Sequence, residues 1–330
     1  MSVETPKVRN RLFFMALFGM TLWGCISQNV EAQGNTASMI TLNEISVNTK
    51  ISDVQSDVDL GSWGRLLFPV DEGYYSGNTL GSLRLTWYSH INAVKTVEIV
   101  RYIKEETLSG SKVFYDIYTD EEKKTDPAKN DTGLFYFRGR QNAKFAICNA
   151  GGGFAYVGAI HDSLPHALEL SKKGYNAFAL IYRPGWRTAM EDLARAIAFI
   201  HDNAVELQVD TRCYSLWGGS AGARMAAYLG SYGTEIYCRK IYPRPGAVIM
   251  QYTGHTEWMP TDPPTFACVG DSDGIADWRT VKARIDAMHD AGIPTEFHLY
   301  SGLGHGFGLG QDTVAEGWLD SAVRFWESQM

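Results

Sequence analysis

The chain has 330 residues and a formal charge of −7 at neutral pH, with 45% apolar and 20% charged residues. That is an ordinary globular balance, enough to form one large core. The acidic surplus, larger still if a basic leader is removed, argues against a nucleic-acid or anionic-membrane partner.

At the start, Lys7, Arg9 and Arg11 precede an apolar run from Leu12 to Cys25. A basic segment before an apolar run too short for a comfortable span predicts a signal peptide over residues 1–32. Val30-Glu31-Ala32 offers a cleavage site before Gln33, whereas Leu22-Trp23-Gly24-Cys25 is similar to a lipobox and would lipidate Cys25. Either route predicts an exported protein, with no membrane span and an N-terminal lipid anchor as the alternative to simple export.

Residues 33–60 are rich in Ser, Asn, Thr and Asp and predict a loose tether or an edge strand. Residues 61–90 then gather Trp63, Phe68, Tyr74, Tyr75, Trp87 and Tyr88 among glycines. Rings without a period predict a loop over something apolar, either a cover for the sheet edge or a lid on an acyl or sugar pocket. Val94, Val97, Val100 and Ile103 recur at helical spacing, which predicts a helix over 92–106. Strands are expected at 112–118 and 133–139, with a charged, solvated loop at 120–131 between them. The expected layout is a leader (1–32), an N-terminal extension or lid (33–110) and a catalytic domain (111–330).

From Lys144 onward, apolar runs alternate with helical patterns. Strands are expected at 144–149, 176–182, 213–217, 247–252, 266–269 and 295–300. Helices are expected at 189–203, 221–229, 280–290 and 312–328. Apolar, non-alternating strands joined by helices predict a mostly parallel sheet covered on both faces. Cys148, Cys213 and Cys268 fall in those strands, so packing explains them better than a disulfide framework. Cys213 with Cys238 is the single pairing entertained, and no spacing suggests a zinc site.

Gly218-Gly219-Ser220-Ala221-Gly222 is a G-x-S-x-G pentapeptide set between a buried strand and an Ala-rich helix. Such a strand-turn-helix pushes one hydroxyl out at the strand's end, beside the free N–H groups of a helix N-terminus. A serine nucleophile needs a base, an acid to orient it and an oxyanion hole. Among the eight histidines, only His305 lies in a glycine-dense loop after a strand. For the acid, Asp273 lies three residues past Gly270, Asp271 is better placed to tie down its own loop, and Asp277 lies further on. Ala221 N–H would supply one oxyanion donor. Gly152 and Gly153, in the loop after the strand at 144–149, would supply the others. Ser220, Asp273, His305 and the glycine loop all follow strands, so an open α/β sheet would carry them on one edge. Phe154 and Trp278 are candidate substrate contacts, and Trp186 and Trp258 also occupy loop or post-strand positions.

From Phe145 to Gly308 the chain resembles the acetyl esterase/lipase branch of the α/β-hydrolases, especially small carbohydrate-type esterases. Those proteins carry a P-G-G-G-Y loop, for which this chain has Ala150-Gly151-Gly152-Gly153-Phe154. An acidic turn at His161-Asp162-Ser163, Tyr182-Arg183 after the next strand, Glu191-Asp192 opening a helix, and Gly304-His305-Gly306-Phe307 complete the match. The resemblance covers about half the chain. It implies an α/β-hydrolase fold, a serine esterase mechanism on a small-molecule or glycan ester, no metal and no cofactor. A peptidase or lipase with the same triad, or a binding protein on the same fold, are the competing readings. Nothing in the sequence speaks to oligomeric state.

Overall fold

The computed structural model describes residues 37–238 and 240–330. The expected signal peptide and the Cys25 lipobox lie outside the described residues.

The chain opens with α1 (Ile51–Gln55), a two-stranded hairpin of β1 (Tyr75–Ser76) and β2 (Arg84–Leu85), and α2 (Ala93–Leu108). Asn92 caps α2 by accepting the Lys95 N–H, as a helix start requires. Residues 37–60 are not a loose tether. Lys104 of α2 is buried and bonds Asp57 at 2.7 and 2.9 Å and Asp59 at 2.6 Å, while the Ile40 N–H donates to Asp57. A buried ion pair formed across 47 residues leaves no local trace in a polar run. Ile40, Ile45, Ile51 and Val54 accordingly join the same buried cluster as the sheet.

There follow β3 (Phe114–Tyr115), α3 (Asp120–Thr125), β4 (Gly133–Phe137), β5 (Lys144–Asn149), α4 (Ala159–Asp162), α5 (Leu164–Lys172) and β6 (Asn176–Ile181). The expected solvated loop at 120–131 contains a helix because Thr119 and Glu122 form a reciprocal capping box. The chain ends with α6 (Trp186–Asp202), α7 (Ala204–Leu207), β7 (Asp210–Gly219), α8 (Ala221–Tyr232), β8 (Ala247–Gln251), β9 (Thr265–Gly270), α9 (Trp278–Asp290), β10 (Thr295–Tyr300) and α10 (Trp318–Glu327).

Eight strands form one sheet in the order β10-β9-β8-β7-β5-β6-β4-β3. All neighbours from β10 to β6 run parallel, and β4 is antiparallel to both β6 and β3. Every residue of β6, β8 and β9 is buried, as expected when helices cover both faces. The parallel register puts the ends of β5 and β7 side by side, with Asn149 opposite Gly218. Cys148, Cys213, Cys238 and Cys268 are free thiols, so the Cys213–Cys238 pairing does not form. Among the described residues no helix is long and apolar enough to cross a membrane.

Candidate active site

β7 runs into α8 through Ser220, whose backbone sits at φ 51°, ψ −116°. A non-glycine residue held there is strained, and the surroundings must hold it. Three glycines make that packing possible. A Cβ on Gly218 would lie 2.2 Å from the Gly222 carbonyl carbon, and one on Gly222 would lie 2.0 Å from the Asn149 oxygen. A Cβ on Gly219 would meet an Asp162 carboxylate oxygen at 2.4 Å. The Ser220 N–H donates to the Gln251 carbonyl at the end of β8, fixing the turn to the next strand.

The loops after β9 and β10 bring two more groups to this point. His305 Nε2 lies 3.0 Å from Ser220 Oγ, and His305 Nδ1 lies 2.8 Å from Asp273 Oδ2. The other Asp273 oxygen accepts the N–H groups of Ile275 and Ala276, both at 2.8 Å. Asp273 is shielded from solvent and oriented from both sides. The two neighbouring aspartates have separate tasks. Asp271 accepts from the Gly302 N–H at 2.6 Å and the Ser301 hydroxyl at 3.0 Å, tying the two loops together. Asp277 caps α9 through the Arg279 N–H.

No other described histidine bridges a serine hydroxyl and a carboxylate. Burial holds His166, His201 and His255 down to about 4 and also lowers His161, whose Nε2 meets the Gly306 carbonyl. His298 bonds Glu296, and His90 bonds Ser89.

After β5, the Gly151 N–H donates to Asp162 at 2.7 Å. The N–H groups of Gly152, Gly153 and Ala221 have no protein partner among the described residues. Gly152 and Gly153 take φ 127° and 62°, a region that favours glycine. Asp162 is fully buried and accepts Tyr252 Oη at 2.5 Å and Tyr88 Oη at 3.0 Å. Burial, reinforced by this carboxylate, pushes both phenols far above their ordinary range and keeps them protonated as donors. The acidic turn therefore supports the glycine loop from beneath.

A cavity of about 300 Å³ opens over Ser220 and His305, walled by Gly152, Gly153, Trp87, Tyr88 and Ile275. Phe154 and Trp278, expected as substrate contacts, do not line it. Phe154 stacks edge-on against Trp186 at 5.2 Å, and Trp278 opens α9 beneath the Arg279 guanidinium. Trp87 and Tyr88 take that place. The only signal for them in the sequence was the aromatic density of residues 61–90.

The fold that places these loops on one edge of a mostly parallel sheet is matched by many solved structures. An acetyl ester-xyloside bifunctional hydrolase from Caldicellulosiruptor lactoaceticus aligns with a TM-score of 0.58 at 21% identity, covering 65% of this chain and 95% of that one. An α/β-hydrolase enzyme from a Medee basin deep-sea metagenome library aligns at 0.54 and 22% identity, covering 60% and 92%. The chain is an α/β-hydrolase by fold.

Within this fold, residues 138–248 match the BD-FAE family model. That stretch contains the glycine loop and the Ser220 turn; Trp87 and Tyr88 lie outside it. A thermophilic esterase of Thermogutta terrifontis, solved with propionate bound, aligns at a TM-score of 0.54 and 20% identity, covering 65% and 93%. An endo-1,4-β-xylanase B of Butyrivibrio fibrisolvens is 24% identical over 210 residues, which is 51% of this chain and 33% of that one. The alignment thus spans about a third of the curated relative's length.

Proposed function

We propose that this α/β-hydrolase is an exported serine esterase acting on short-acyl carboxylic esters, with acetylated carbohydrate as its substrate class. One observation carries the esterase reading. Ser220, His305 and Asp273 form an unbroken hydrogen-bonded chain at the floor of an open cavity, beside three N–H groups without protein partners. In the reaction, Ser220 Oγ attacks the ester carbonyl carbon as His305 Nε2 takes its proton. Asp273 holds the tautomer and offsets the imidazolium charge. The oxyanion is received by the N–H groups of Gly152, Gly153 and Ala221. When the tetrahedral adduct collapses, His305 protonates the departing alcohol, leaving the acyl group on Ser220. A water then gives a proton to His305, attacks the acyl carbon and releases the acid, and the proton returns to Ser220.

The carbohydrate reading is supported by the names of the Caldicellulosiruptor hydrolase and the Butyrivibrio xylanase. The export reading rests on Lys7, Arg9, Arg11 and the apolar run after them, and N-terminal sequencing of the mature protein tests it. A fluorophosphonate probe is expected to label Ser220 alone. Ser220→Ala should lower turnover of p-nitrophenyl acetate on the order of 10⁶-fold. Labelling elsewhere, or activity retained in that variant, would remove the serine mechanism. Acetate release from acetylated xylan, compared with a series of longer acyl chains, tests the substrate class.

A further inference from the structure

Trp87 lines the same cavity as Ser220 and His305 and is held in an unusual way. Its backbone takes φ 69°, a costly conformation for a bulky residue, and its side chain is still 47% exposed. The flanking residues are pinned. The Thr86 N–H donates to the Tyr74 carbonyl, the Tyr156 hydroxyl donates to the Thr86 carbonyl, and the Tyr88 N–H donates to the Leu85 carbonyl. The indole stacks on Tyr156 at 5.8 Å, and Tyr156 stacks on Tyr74 at 4.7 Å. Its six-membered ring rests on Gly153, where a Cβ would come within 2.8 Å of it. A strained, exposed ring fixed beside a nucleophile is poorly explained by core packing.

The chemistry of the cavity narrows what this ring meets. Apart from Ser220 and His305, its walls offer glycine backbone, an indole, an isoleucine and a tyrosine whose hydroxyl is already bound to Asp162. Discrimination among substrates must therefore come mainly from apolar surface. An acetyl group fills only a small part of 300 Å³. The indole is the large exposed ring among these walls, a surface that the larger alcohol part of a short-acyl ester can cover. A pyranose ring presents there a flat face of C–H groups, which an indole can cover while the sugar hydroxyls stay in water.

Resting on the esterase reading above, we propose that Trp87 is the specificity-determining residue of this site and stacks on the sugar ring of the leaving alcohol. The test compares kcat/KM on an acetylated xylo-oligosaccharide and on ethyl acetate, which share the acyl group but not the ring. In Trp87→Ala the ratio of the two should fall by about tenfold or more, chiefly through KM for the sugar ester. Trp87→Phe should recover part of that ratio. A parallel loss on both esters in both variants would make Trp87 a structural support and overturn the proposal, as would an unchanged ratio. Wild-type protein that cleaves ethyl acetate but no sugar acetate would sink this proposal alone. Wild-type protein that cleaves no ester would sink the esterase reading beneath it.

Discussion

The two walls of the Ser220 cleft are built by opposite means. Ser220, Asp273 and His305 stand on loops that leave the ends of parallel strands, and each is positioned within a few residues of its own strand. Trp87, Tyr88 and Ser89 come from a segment with almost no regular structure, and their positions depend on partners far along the chain. Tyr88 bonds Asp162 across 74 residues, and Ser89 bonds the His305 carbonyl across 216. The first wall is a property of the sheet and the second of this chain's own extension. A sheet edge places reacting groups with short-range geometry, and a remote segment can then shape the cavity without disturbing them.

The largest effect should come from the sheet-borne wall. Asp273→Asn keeps the shape but turns a donor toward His305 Nδ1 and favours the wrong tautomer. By analogy with other triads, kcat should fall on the order of 10⁴-fold. Asp271→Asn, two residues away, loses only loop-to-loop bonds and should cost less than about tenfold. Steady-state kinetics on p-nitrophenyl acetate separates the two. Equal losses would mean that loop integrity, rather than imidazole orientation, is what this wall supplies.

Asp162 joins the two walls, and its removal should rank next. Its carboxylate gathers the Gly151 N–H from one side and the Tyr88 and Tyr252 hydroxyls from the other. Asp162→Asn replaces one of the two accepting oxygens by an N–H₂ donor, which must face either the Tyr252 hydroxyl or the Gly151 N–H and Tyr88 hydroxyl. Hydrogen bonds to a charged group contribute about 1.5–3 kcal/mol each, so a loss of about 10- to 100-fold in kcat is expected, with a lower melting temperature. An unchanged kcat in a folded variant would show that the glycine loop holds its shape without support from beneath.

Acid should loosen the scaffold through its buried histidines. His166, His201 and His255 are held near 4 by burial, against an ordinary value of about 6.5. Below 6.5 the unfolded chain binds protons that these sites refuse until the pH nears 4. Their contribution is therefore complete above about 6.5 and is lost as pH falls toward 4. Urea midpoints should drop across that window, and His255→Gln should flatten the slope. A midpoint independent of pH between 6.5 and 4 would contradict the burial argument.

What the sequence made legible follows the same division between walls. The expected strand over 295–300 coincides with β10, and the G-x-S-x-G pentapeptide lies on the strand-turn-helix expected of it. Such features are local: a run of apolar residues, a turn, a glycine where a side chain would collide. The helix expected from Asp312 starts only at Trp318, after Gly317 at φ 84°. The capping box that makes α3 a helix lay hidden in a run of charges without apolar period. Trp87 was visible only as one ring among many. Its place was set by contacts with Gly153 and Tyr156, more than 60 residues away, which no window along the chain contains.

The smallest predicted effect tests whether the extension also steadies the reacting groups. The Ser89 hydroxyl donates to the His305 carbonyl at 2.6 Å, and the Ser89 N–H reaches the Gly306 carbonyl at 3.4 Å. The base loop is thus fastened on one side to Asp271 and on the other to the segment carrying Trp87. Ser89 touches neither Ser220 nor the imidazole nitrogens, so it can act only as a positioning residue. Ser89→Ala removes two exposed hydrogen bonds, to the His305 carbonyl and to His90 Nδ1; only the first reaches the base loop, a contribution of about 1 kcal/mol, and kcat should fall by about fivefold. KM for ethyl acetate should stay near its wild-type value, and Ser89→Thr, which keeps the hydroxyl, should restore kcat. A loss that appears in KM, or that Thr does not rescue, would mean that the segment shapes only the cavity and that the sheet alone positions the base.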